Sequence, residues 1–157
     1  MNTEDFESEI SFFNLACGNK PITTQDSLDT TCNAALQQGK IILEEVKEFI
    51  KAAEDGNEEE LKDGIIDILY TSLRLVSLFE QRYNIDEGMK VVAENNNLKF
   101  TEDELLAAEW LRNQPDNIKV NKSAIPGWPD DIFYCLKDEN GKVRKWKGFP
   151  KVDLSVM

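Results

Sequence analysis

Histidine is missing altogether from the 157 residues. Imidazole metal ligands and every Ser-His or Cys-His catalytic pair are thereby excluded. Acid–base or metal chemistry must rest on carboxylates, with Lys, Arg, Asn and water in support. Basic charge is scarce as well: 18 Lys and Arg face 30 Asp and Glu, a formal net charge of −12. A field of that sign repels phosphate backbones, so no nucleic-acid partner is expected, and a phosphorylated substrate would need a bridging cation. The three cysteines (Cys17, Cys32, Cys135) are widely spaced and outside any metal-type motif. They read as reduced, partly buried thiols of a cytoplasmic protein. No apolar run approaches the about 18 residues that a membrane helix needs. The acidic opening MNTEDFESEI lacks the basic-then-apolar pattern of a secretory signal, so a cytoplasmic, non-membrane protein is expected. Internal repeats and a Gly-rich phosphate loop are also lacking.

What is present is ordinary globular material, 41 % apolar and 31 % charged, enough for one domain with a real core. The first half reads as helices. Phe6, Ile10, Phe13 and Cys17 form an amphipathic stripe that Thr3 could cap and Gly18 ends. Asp26 or Ser27 opens a long segment that runs past Gly39 to Gly56. Asn57 caps the next helix, with Glu60 in a capping-box position, and Leu61, Ile65, Ile68, Leu69, Leu73, Val76 and Phe79 give it an apolar stripe. Two long helices joined by EDGN make an antiparallel hairpin. Shorter helices are expected from Asp86 to about Asn97 and from Thr101, which opens a second capping box in TEDE, to Asn113. After Gln114 the proline-rich stretch to Asp131 reads as loop, and Asn140-Gly141 signals a two-stranded ribbon from about Ile132 to Trp146. The expectation is an all-α helical bundle built on the long hairpin (residues 1–113), with a loop and small C-terminal β-hairpin (114–157) as an appendage of the same domain.

Acidic residues crowd the hairpin. Glu45 and Glu48, and Glu44 and Glu48, lie three and four apart on one helix; Asp63 and Asp67 lie four apart on the next. Each pair falls within about two turns of the hairpin's closed end, so the pairs should face one another. All-oxygen ligands suit Mg²⁺, with Mn²⁺ as an alternative, rather than zinc. Asp67, inside the apolar run GIIDILY, needs a partner wherever it is buried. A solvated rim on an acidic turn is the plainer reading of EDGNEEE, and of EExxE taken alone.

EEVKE followed by DGIIDILYT resembles the all-α nucleoside triphosphate pyrophosphohydrolase superfamily, which includes MazG-like proteins, dimeric dUTPases, dCTP pyrophosphatases and phosphoribosyl-ATP pyrophosphohydrolase. Its hallmark is ExxE, a spacer, then ExxD, with the carboxylates on Mg²⁺. Glu45 and Glu48 match the first half and Asp67 the last acid. Gly64 stands where the third glutamate should be; Asp63, one position earlier, is the natural stand-in, as in a phage and bacterial branch with a D-x-x-x-D pattern, and it is preferred to the literal ExxD of Glu60-Leu61-Lys62-Asp63 because Asp67 has the apolar sequel ILY. FFNLACGNKP resembles that branch's FHxxFG opening, with Asn14 in place of His. VVAENNNLK resembles its VhxSNxxK segment, and DENGKVRKWKGFPKVDL its closing dGKvxKgxxxxxPdL.

The resemblance implies a nucleotide substrate cleaved between the α and β phosphates, with Glu45, Glu48, Asp63 and Asp67 on the metal and Glu44 either beside them or a rim charge. It implies Glu45 and Glu48 as catalytic residues, Asn14, Asn96, Lys99 and Lys145 on the substrate, and a homodimer or homotetramer. Phosphoribosyl-ATP hydrolysis and a non-catalytic nucleotide- or partner-binding module are the alternatives, the second favoured by Gly64. Trp110, Trp128 and Trp146 could stack a base, or bury the ribbon.

Overall fold

The computed structural model describes residues 3–126, 128–155 and 157. Five helices and four short strands follow in the order α1 (Thr3–Ala16), α2 (Leu28–Asp55), α3 (Glu58–Phe79), α4 (Ile85–Asn97), β1 (Phe100–Thr101), α5 (Glu104–Leu111), β2 (Lys119–Ile125), β3 (Trp128–Lys137) and β4 (Val143–Arg144). The fold is mainly helical with a small C-terminal antiparallel sheet, as expected. The chain divides into two compact units, Met1–Ile85 and Asp86–Met157, so the break comes earlier than the change of composition after residue 113.

Local chemistry sets the helix ends of the first unit. The Ser27 side chain accepts from the Thr30 amide at the start of α2, and Gly56 closes the helix in the left-handed conformation with φ 65°. Asn57 then caps α3 by accepting from the Glu60 amide at 3.3 Å. Gly39 leaves α2 unbroken. The Thr3 cap falls outside the described side chains. The core of this unit gathers Ile22, Leu78 and Phe79, with Ala34, Leu75 and Tyr83 packed against them. Arg82 Nη1 donates to the carbonyls of Thr23 and Asp26 at 2.7 and 2.9 Å, tying the connector before α2 to the end of α3.

The register of the α2–α3 hairpin can be read from two contacts. A Cβ on Gly64 would lie 3.1 Å from both Cα and Cβ of Phe49, so the helices touch there without an intervening side chain. Further from the turn, Gln38 Nε2 donates to the Thr71 carbonyl at 2.9 Å. Between these levels α2 contributes Glu45 and α3 contributes Asp67. Buried on α2 are Thr31, Gln38 and Ala52, and on α3 Gly64, Thr71 and Arg74, all small or polar, followed by the large apolar Leu78 and Phe79 at the far end of α3. Leu36, Leu43, Ile50, Ile65, Ile66 and Leu69 are exposed instead.

Several expectations need correction in the second unit and at the cysteines. The segment after Gln114 is not all loop, because β2 lies within it and pairs along the length of β3. The sheet therefore has four strands in the order β1-β3-β2, with β4 also on β3. Strand β2 is polar and half-exposed because it is an edge, and its prolines (Pro115, Pro126) flank the strand without interrupting it. Asn140-Gly141 does form the expected turn, with Gly141 at φ 77° and its amide on the Asp138 carbonyl at 3.0 Å. The cap of α5 is Asp103, not Thr101, which pairs with Tyr134 in the sheet. Of the cysteines only Cys135 is buried; Cys17 and Cys32 are exposed. Among the described residues no helix is long and apolar enough to cross a membrane.

Gly64→Glu, which restores the residue type of the family pattern, should fail sterically. The new side chain must displace the Phe49 backbone and bring a charge into the helix crossing. Urea denaturation should show a loss of about 2–4 kcal/mol.

Candidate active site

Glu45 and Asp67 are half-buried, whereas Glu44, Glu48 and Asp63 are exposed. The hairpin register sets Glu45 and Asp67 opposite one another, with Glu48 and Asp63 about one turn nearer the closed end. Burial holds the Glu45 carboxyl above its usual value, and the charges of Asp67, Glu48, Glu44 and Asp63 push it further in the same direction. Burial is the first cause, even though Glu45 still reaches solvent.

Neutralising bases are engaged elsewhere: Lys62 pairs with Glu58 at 2.6 Å, and Lys51 with Asp55. Among the described residues none of the five acidic side chains makes a salt bridge or a hydrogen bond. No three of them are grouped so as to enclose a metal ion as they stand. The donor set nonetheless fits a hard divalent cation: it is all oxygen, it is uncompensated, and its exposed members can rotate. A bound cation would relieve the repulsion that raises Glu45.

The residues expected on the substrate are placed variously. Asn14 is buried at 2 % exposure. Its amide is fully engaged with Arg74, accepting from Nε at 3.0 Å and donating to the carbonyl at 3.2 Å. Its direct role is thus to join α1 to α3. Within the second unit, Lys99 Nζ donates to Asn96 Oδ1. Lys145 is exposed, its Nζ 5.2 Å from the centre of the Phe149 ring. Trp110 and Trp146 stack on one another at 5.6 Å, and Trp146 Nε1 donates to the Leu98 carbonyl, so both rings serve packing. The side chain of Trp128 lies outside those described.

Sequence reasoning missed Arg74 and Gln38. Arg74 lies seven residues after Asp67, on the same stripe of α3, and a lone arginine in the run TSLRLVSLF was the available signal. Gln38 lies seven residues before Glu45 on α2. The second unit also contains a mainly apolar groove of about 660 Å³ on its sheet, lined in part by Phe100, Asn121, Phe133, Cys135 and Lys137. Among the described residues no carboxylate lines it.

The raised Glu45 carboxyl has a consequence for metal-free stability. The folded state holds this proton more tightly than the unfolded chain, so stability declines as pH rises through the ordinary glutamate range toward the folded value. Glu45→Gln should therefore melt at a higher temperature than the native chain at pH 7 in EDTA. The difference should vanish below about pH 4, where both states are protonated.

Comparison with curated proteins gives no match, and neither does comparison with solved structures. A family model does match: residues 20–96 fit phosphoribosyl-ATP pyrophosphohydrolase. That span contains Glu45, Glu48, Asp63 and Asp67, both hairpin helices and most of α4. Residues 20–96, just under half of the chain, match the phosphoribosyl-ATP pyrophosphohydrolase domain, in keeping with the resemblance of the hairpin motifs to the MazG-like all-α nucleoside triphosphate pyrophosphohydrolase superfamily.

Proposed function

We propose that this chain hydrolyses the α–β phosphoanhydride of a nucleoside or deoxynucleoside triphosphate, releasing the monophosphate and pyrophosphate, with Mg²⁺ as cofactor and Mn²⁺ as a substitute. The observation that carries the reading is the convergence of four carboxylates on Glu45 at a level where no base compensates them. Glu45, Glu48, Asp63 and Asp67, with Glu44 at the edge, would hold the cation. When bound, it would offset the repulsion between acidic protein and triphosphate and make the α-phosphorus more electrophilic.

Glu45 and Glu48 carry the catalytic assignment. Water attacks the α-phosphorus and its proton passes to a carboxylate, because no imidazole exists in the chain. Glu45, the half-buried glutamate of α2, is given that role. Asn96, Lys99 and Lys145 are proposed phosphate or sugar ligands, and Asn14 acts through Arg74. The close approach of Phe49 leaves little room for a side chain at Gly64, which accounts for the departure without a degraded site. A second reading, hydrolysis of the same bond in phosphoribosyl-ATP, is favoured by the name of the matching family.

The hairpin leaves part of its apolar surface exposed. Leu36, Leu43 and Ile50, seven residues apart on α2, are each about half exposed, as are Ile65 and Leu69 on α3. A second copy covering this face gives the proposed homodimer, or a dimer of dimers. Sedimentation at micromolar concentration should give at least a dimer, and a monomer would refute this arrangement.

Pyrophosphate release should require Mg²⁺ when the chain is assayed against a panel of ribo- and deoxynucleoside triphosphates together with phosphoribosyl-ATP. Glu45→Gln and Glu48→Gln should each lower kcat/KM by about 100-fold or more. Release from phosphoribosyl-ATP alone would select the second reading. No release from any of these substrates would leave a binding module.

A further inference from the structure

Residues 1–85 contain seventeen acidic and seven basic side chains, yet among the described residues no acid pairs with Arg74. Its exposure is only 9 %. An arginine buried over nine-tenths of its surface without an anion beside it is costly, so its retention calls for a reason. Two neighbours fix its plane. Asn14 Oδ1 accepts from Nε at 3.0 Å, and the Phe13 ring lies 4.8 Å from the guanidinium carbon. Phe13 is itself braced edge-on by Tyr70 at 5.8 Å. These contacts hold the stem side of the fork and leave both Nη groups without an acceptor among the described residues. No buried side-chain nitrogen or oxygen there lacks a partner, so the Nη groups reach solvent. A planar fork with a clamped stem and open donors is suited to bidentate recognition of phosphate.

Its position along α3 narrows the ligand. Arg74 lies two turns, about 10 Å, beyond Asp67 on the same stripe, and helical side chains lean back toward the N-terminus. By that tendency the guanidinium is expected on the Asp67 side of its own Cα, at a separation along the helix that a polyphosphate chain can span. We propose that Arg74 is an anion subsite of the hairpin, taking the terminal phosphate of a nucleotide whose α–β bridge lies at Glu45 and Asp67, with Asn14 as its positioning residue. This assignment rests on the pyrophosphohydrolase reading given above.

Calorimetry with Mg²⁺ and the four α,β-methylene deoxynucleoside triphosphates, beside the matching monophosphates, tests it without turnover. Arg74→Gln should bind the triphosphate analogue at least ten-fold more weakly than the native chain and the monophosphate within two-fold of it. Arg74→Lys, which keeps the stem and charge but not the fork, should be intermediate for the triphosphate, and it serves alone if circular dichroism shows Arg74→Gln unfolded. Native triphosphate affinity in either folded variant, or equal loss for both ligands, overturns the subsite and leaves Arg74 as a clamp between α1 and α3. Failure of the native chain to bind any of these nucleotides overturns the pyrophosphohydrolase reading, and the subsite with it.

Discussion

The close crossing of α2 and α3 at Gly64 and Phe49 positions everything else in the hairpin. With no side chain at residue 64, the α3 backbone lies against Phe49, and the pairing of levels along both helices follows from that contact. Glu45 then meets Asp67, and Gln38 meets the carbonyl of Thr71. A bulkier residue at 64 would push the helices apart and separate the facing acids. The missing glutamate and the geometry of the acidic face thus have one physical origin.

The crossing also decides which surfaces are left for solvent. Small and polar residues suit a close helix contact, and the buried polar ones here are satisfied by cross-helix hydrogen bonds from Gln38 and Asn14 to backbone carbonyls of α3. Apolar residues that would ordinarily fill the seam are turned outward instead. The candidate acids face one another across the hairpin, while its outer side carries the apolar surface that a second copy would cover in the proposed dimer. The second unit is organised differently, around a small antiparallel sheet with α5 packed against it; Tyr134 donates to Glu104 across that contact at 3.2 Å.

Helix ends were legible in the sequence because they depend on local chemistry. Ser27, Gly56 and Asn57 act through neighbours within a few residues, and each cap is where its residue type indicates. The candidate carboxylates were legible because spacing on two consecutive helices fixes their faces. Strand β2 was not, since an edge strand of lysine, asparagine and serine has weak apolar alternation. The partner contact of Asn14 was equally hidden: sixty residues separate it from Arg74, and only the packing of α1 on α3 brings them together. The cap of α5 was misplaced by two residues because Thr101 and Asp103 both suit a helix start, and pairing of Thr101 with Tyr134 decided between them.

The central claim is that the acids facing one another across the hairpin are a divalent-cation site and not a solvated rim. Electron paramagnetic resonance of Mn²⁺ titrated into native, Asp67→Asn and Asp55→Asn chains tests it most directly. The account predicts sub-millimolar binding by the native chain, about ten-fold or greater weakening in Asp67→Asn, and native affinity in Asp55→Asn, whose carboxylate belongs to the turn and pairs with Lys51. Equal Mn²⁺ affinity in all three chains would contradict it.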